Sequence, residues 1–215
     1  GHVAAGLQRP GRAGPPGPAP RPHPRHHGPL DADAAGLPVV TWRQAYDAGT
    51  HVKEGQTDIG TGTTPTLMGD RYVAITDNGQ PRMHVLVYDR DEGELVCAEP
   101  VFAPGQAANE NSLIATDTSI VVENNFGYRD PLKDTTHGRT TKPGLARIDV
   151  ENGGCRTVWT NEAVSIPTLI SKMSLANGLI YTTPKHCVCW PMLRGYTAVA
   201  PERAARMNVS LHETI

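Results

Sequence analysis

TLMGDRYVAITDN, from Thr66 to Asn78, is the stretch whose reading decides the fold. Gly69 and Asp70 make a tight turn, an alternating strand follows from Tyr72, and the strand runs into two polar residues. IATDTSIVVENN, from Ile114 to Asn125, repeats the pattern. A shift of 47 (117 − 70) lays Asp70 on Asp117, Val73 on Ile120, Asp77 on Asn124 and Asn78 on Asn125. A shift of 60 (149 − 89) lays VYDRDEGELV, with Asp89 and Gly93, on RIDVENGGCR, with Asp149 and Gly153. The two shifts place an insertion between these landmarks, in GYRDPLKDTTHGRTTKPG from Gly127 to Gly144. A third copy starts at SKMSLANGLIYT, from Ser171, and is then lost.

Each unit reads as four short β segments. In the first they are Thr64–Met68, Tyr72–Asp77, His84–Arg90 and Leu95–Phe102; in the second, Ser112–Ala115, Ser119–Asn124, Leu145–Val150 and Arg156–Thr160. Four antiparallel strands per repeat of this length suit a propeller blade, and one such unit buries little until a neighbour stacks on it. The expected fold is therefore all-β: an incomplete β-propeller of four-stranded antiparallel blades, about two full blades with partial ones flanking them. A sandwich is the alternative.

Composition agrees. Only 38% of the 215 residues are hydrophobic, while Gly (22) and Pro (19) are abundant, which fits a turn-rich β protein better than a helical one. The net charge of −2 points away from nucleic acid and anionic membranes, and no apolar run reaches membrane-spanning length. No apolar segment follows a basic start, so no signal peptide is read in the chain. Residues 1–36 are rich in Pro, Gly, Arg and His, with no acid before Asp31, and are expected to be disordered. Alternation begins at LPVVTWRQAYD, read as a strand with Val40, Trp42 and Gln44 on one face. The blades are expected over 37–184, followed by an irregular or weakly helical tail over 185–215. Of the four cysteines, Cys97, Cys155, Cys187 and Cys189, none falls in a zinc-finger spacing. HCVC, His186 to Cys189, offers a loose soft-metal pattern, and the redox compartment stays open.

QTDIGTGTTPTLMGDRYVAITDN, ENSLIATDTSIVVENNFGY, GLARIDVENGGCRTVWTN and SKMSLANGLIYT resemble the blades of quinoprotein-type (PQQ-like) β-propellers, and in particular a group of uncharacterised bacterial propeller proteins. The resemblance covers about Val39 to Thr182. It implies tryptophan docking between blades, for which Trp42 and Trp159 stand at candidate outer strands. No quinone-binding set is recognisable, so no cofactor is carried over. Propellers close with about four to eight blades. The expectation is thus a fragment of a longer protein, acting as a binding or scaffold module, or a ring closed by self-association through exposed blade faces. Relatives of this type lean the reading toward an extracytoplasmic setting.

The polar strand endings are the candidate site. In a four-stranded meander, the loops between strands two and three share an end with the loops between blades. Asp58, Asp77, Asn78, Glu110, Asn111, Glu123, Asn124, Asn125 and His137 are therefore expected on one face. Asp77, Asn78, Glu110, Asn111, Glu123, Asn124 and Asn125 are the candidate ligand-binding residues for a small molecule. Their oxygens suit Ca²⁺, which would polarise a carbonyl as in lactonase-like propellers, with Glu110 or Glu123 as ligand or base. That supports the enzyme alternative: a quinoprotein-type dehydrogenase or a metal-assisted hydrolase. The plainer reading is turn chemistry, since Asn and Asp end strands by bonding nearby backbone. GTGTT, Gly60 to Thr64, lacks a P-loop lysine and reads as a close-approach segment. His84 reads as a solvated or packed histidine, and NVS at Asn208 to Ser210 matches a glycosylation acceptor.

Overall fold

The computed structural model describes residues 25–27, 30–128, 141–166, 171–182 and 197–199. Among them the chain is all-β, with no helix. In chain order the strands are β1 (Arg25–His27), β2 (Leu30–Ala32), β3 (Pro38–Val40), β4 (Gln44–Tyr46), β5 (Thr66–Met68), β6 (Tyr72–Thr76), β7 (Met83–Asp89) and β8 (Leu95–Val101). They continue as β9 (Ile114–Ala115), β10 (Ser119–Glu123), β11 (Leu145–Glu151), β12 (Gly154–Asn161), β13 (Lys172–Ser174), β14 (Leu179–Thr182) and β15 (Thr197–Val199).

Two four-stranded antiparallel meanders form the body: a first sheet β5-β6-β7-β8 and a second sheet β9-β10-β11-β12. Their registers follow the repeat. Tyr72 pairs with Asp89 in the first sheet, and Ser119 with Asp149 in the second. A bulge interrupts β7–β8 between Val87 and Tyr88, and the equivalent bulge interrupts β11–β12 between Arg147 and Ile148. Bulges add local twist, so the same twist recurs in both sheets. The insertion also lies where the two shifts put it: the second-to-third strand connection spans 77–82 in the first sheet and 124–144 in the second.

One part of the alignment is corrected. Val87 pairs with Cys97, but Arg147 pairs with Trp159, so the fourth strands are offset by 62 (159 − 97), not 60. Gly93 and Gly153 are therefore not equivalent. The second hairpin turns on Asn152 and Gly153, with φ of 51° and 76°, the Asn-Gly combination that suits a two-residue turn.

The middle strands are apolar on both faces because both faces are covered. Every residue of β6 is buried. Tyr72, Ala74, Val85 and Val87 of the first sheet meet Ile120, Val122, Ala146 and Ile148 of the second in one core. On the opposite face of the first sheet, Val73, Ile75, Leu86 and Tyr88 pack with Tyr46, Ala48 and Trp42. On the opposite face of the second, Val121, Leu145 and Trp159 pack with Ile166, Ile180 and Met173. Equivalent strands meet: β8 lies against β12 and β5 against β9. Cys97 of β8 and Cys155 of β12 are joined by a disulfide with 5.7 Å between Cα atoms. Beside it, Glu99 accepts the Thr157 N–H at 2.9 Å and the Thr157 hydroxyl at 2.6 Å.

The third sheet is antiparallel, in the order β13-β14-β15. At the other end, β1 pairs with β4 and β2 with β3, so strand pairing begins ahead of Leu37. LPVVTWRQAYD is not one strand: it divides into β3 and β4, with Trp42 between them. Val39 and Val40 are exposed, while Trp42 docks on the first sheet. Its Nε1 donates to Arg90 O at 2.9 Å, and its ring lies against Gly93, where a Cβ would collide with it. β15 likewise falls inside the stretch 185–215 expected to be irregular.

Candidate functional site

The strand endings do gather at one end of the stack, and hydrogen bonds show what they do there. Asn78 follows β6 with a φ of 58° and is 1% exposed. Its Nδ2 donates to Gly60 O at 2.9 Å and Asn109 O at 3.2 Å, and its Oδ1 accepts Asn109 N at 3.1 Å. Asn125 does the same one sheet later. Its Oδ1 accepts Glu110 N at 3.0 Å and its Nδ2 donates to Ile166 O at 3.2 Å. Asn124 accepts from Ala108 N and Phe126 N and donates to Gln106 O. Each asparagine thus serves backbone that a loop would otherwise bury unpaired.

Asp77, the counterpart of Asn124, stabilises the β6–β7 connection. Its Oδ1 accepts Gly79 N and His84 N, both at 2.8 Å, and its Oδ2 bonds His84 Nδ1 at 2.7 Å. His84 is therefore the partner of a buried carboxylate rather than a lone histidine. Burial pushes the Asp77 carboxyl above its ordinary range, and the hydrogen bonds from His84 and Gly79 pull it partly back.

Glu110 is half-buried. Its Oε2 accepts the Thr57 hydroxyl at 3.1 Å, and its carboxylate covers Gly62, leaving no room for a Cβ. In GTGTT, Gly62 lies under the Glu110 carboxylate, while Thr61 and Thr63 are buried beside the Thr76 hydroxyl. Burial raises the Glu110 carboxyl, as does Asp58, against the lowering by Thr57. Asn111 donates to Glu123 Oε2 at 2.9 Å. Glu123 is 3% exposed, and burial pushes it up to about 7 despite hydrogen bonds from Ser171 and Asn111.

Three contributors carry no sequence signal. Lys53 is buried in the loop ahead of β5, its Nζ donating to Gly79 O at 2.7 Å and Ala107 O at 3.2 Å. Burial lowers its amine, with Asp77 and Asp47 opposing. Ser171 carries the Glu123 contact across to the third sheet. Asn109, fully buried, leaves its Nδ2 without a partner, the one such buried side-chain atom among the described residues.

Among the described residues, no three His, Cys, Asp or Glu side chains converge to hold a metal. His137, His186, Cys187, Cys189 and Asn208 lie outside the described residues. A cleft of about 330 Å³ opens between β9 and β13, lined by Ser112, Leu113, Ile114, Ser171, Lys172 and Met173 among others. At the equivalent joint between the first and second sheets, Thr66 Oγ1 donates to Leu113 O at 3.4 Å. No family model matches this chain, and no curated protein does.

Proposed function

We propose that this chain is a β-propeller segment serving as a binding or scaffold module. One observation carries the reading: the second sheet is covered on both faces, by the first sheet through Ile120 and Val122 and by the third through Val121 and Leu145. A sandwich leaves each sheet one outward face; a blade leaves none. The stacking of β8 on β12 and β5 on β9, and the recurring bulge, support the same arrangement. The polar strand endings act as loop ties in this reading, so the module's role rests on the surface its stacked sheets present. A ring needs more sheets than the described residues supply, and we assign the others to further copies of the chain or to a longer polypeptide.

Cysteines placed singly at Ile120 and at Val121 test it, with thiol labelling of the native chain read by peptide mapping. Both sites should resist the reagent until the protein unfolds. Rapid labelling at one of the two would show a solvent-facing sheet and overturn the blade arrangement. Light scattering on the same chain separates the sources of further sheets: a discrete oligomer points to copies of the chain, and a monomer to a longer polypeptide.

A further inference from the structure

The joint between the second and third sheets is closed by a buried carboxyl group. Glu123, at the end of β10, faces Asn111 ahead of β9 and Ser171 ahead of β13. Its Oε1 accepts Ser171 N at 3.3 Å and bonds the Ser171 hydroxyl. Ser171 Oγ in turn lies 2.7 Å from Thr182 Oγ1 at the end of β14. Ser171 and Thr182 are 2% and 0% exposed.

Ser171 has one hydroxyl proton and cannot give it to both neighbours. With Glu123 neutral, protons run from Glu123 to Ser171 to Thr182. With Glu123 ionised, the order reverses, and a charge sits away from water with only neutral donors around it, an arrangement that burial disfavours. The other titratable groups on the surrounding elements are engaged elsewhere or exposed. Glu110 takes Thr57, Arg147 pairs with Asp149 at 2.8 Å, Lys172 is exposed and Tyr181 is 38% exposed. Among the described residues, none is hydrogen-bonded to Glu123.

We propose that Glu123 is a proton-operated latch: uncharged, it holds β13 and β14 against the second sheet, and its ionisation loosens that joint. The latch rests on the contact between two sheets and not on ring closure. Burial lifts Glu123 from 4.5 to about 7 in the closed joint. A carboxyl raised in the closed state binds its proton there more tightly. Closure is therefore strongest below pH 4.5 and weakens as pH rises through 7. A gap of this size corresponds to a change in the opening equilibrium on the order of a hundredfold.

Hydrogen exchange on the full chain, read by mass spectrometry and corrected for intrinsic rates, tests this. Protection over 172–182 should fall on the order of a hundredfold from pH 5 to pH 8, relative to β6 and β7. In E123Q the profile should be flat. An equally flat wild-type profile, or an unchanged slope in E123Q, overturns the latch. Should E123Q not fold, S171A replaces it: losing a donor to the ionised form should move the midpoint to higher pH, and an unmoved midpoint overturns the proposal.

Discussion

Asn78 and Asn125 occupy equivalent places after β6 and β10, and each ties its own sheet's entry loop to that of the next sheet. The tie spends every polar atom of the Asn78 amide on buried backbone. Asn78→Ala should lower unfolding free energy by about 3 kcal/mol, because Gly60 O and both polar atoms of the Asn109 backbone lose a partner. Asn78→Gly should cost about 1 kcal/mol less, since alanine also resists the positive φ. Urea unfolding of the two variants beside the parent checks both the size and the order.

Trp42 and Gly93 allow a second test. The indole ring lies where a Cβ on Gly93 would sit, and Gly93 itself has a φ of 74°. Gly93→Ala should therefore displace Trp42 from its bond to Arg90 O and expose the ring. Tryptophan emission should shift to the red, with a stability loss of about 2 kcal/mol from strain and lost packing. An unshifted spectrum would show that the ring is held by other contacts.

Much of the fold is legible because short apolar runs recur between turn residues, although the middle strands, covered on both faces, are buried almost throughout rather than alternating. The shift of 47 lays β6 on β10, Tyr72–Thr76 on Ser119–Glu123, although each strand ends one residue sooner than the Tyr72–Asp77 and Ser119–Asn124 read from sequence. The fourth strands were misaligned by two residues because Asp89/Gly93 and Asp149/Gly153 look alike, although one hairpin turns on Gly93 and the other on Asn152–Gly153. Val40, Trp42 and Gln44 also read as one strand by alternation, yet nothing local shows that β3 and β4 find different partners. At the site, the shared end of the loops followed from meander topology. Lys53 and Ser171 did not, because their roles arise from backbone carbonyls and a carboxylate supplied by distant segments, nor did Asn109, whose backbone meets the amide of Asn78.

The disulfide between Cys97 and Cys155 was missed for the same reason, as the two cysteines are not equivalent in the repeat. It closes a loop with a sequence separation of 58, tying the outer strands of both four-stranded sheets. Loop-closure entropy then gives a stabilisation of about 4 kcal/mol. Reductant should lower the urea midpoint of the native chain accordingly and leave that of a C97A/C155A variant unmoved. Equal midpoints in the native chain with and without reductant would contradict it.

Whole-chain stability should also depend on pH, with a sign that three carboxyls share. Asp77, Glu110 and Glu123 are all raised by burial, Glu123 to about 7. Each binds its proton more tightly when folded, so its contribution is complete below the unfolded value and is lost as pH rises through the folded one. For Glu123 that window runs from 4.5 to about 7 and is worth up to about 3 kcal/mol. Lys53 is lowered from 10.5; its contribution changes as it titrates between its folded value and 10.5, where stability rises with pH. The urea midpoint should accordingly be higher at pH 5 than at pH 8, and E123Q should remove most of the difference. A midpoint that climbs between pH 5 and pH 8 would mean that these carboxyls reach water in the folded chain, and the buried network at the strand ends would then be open.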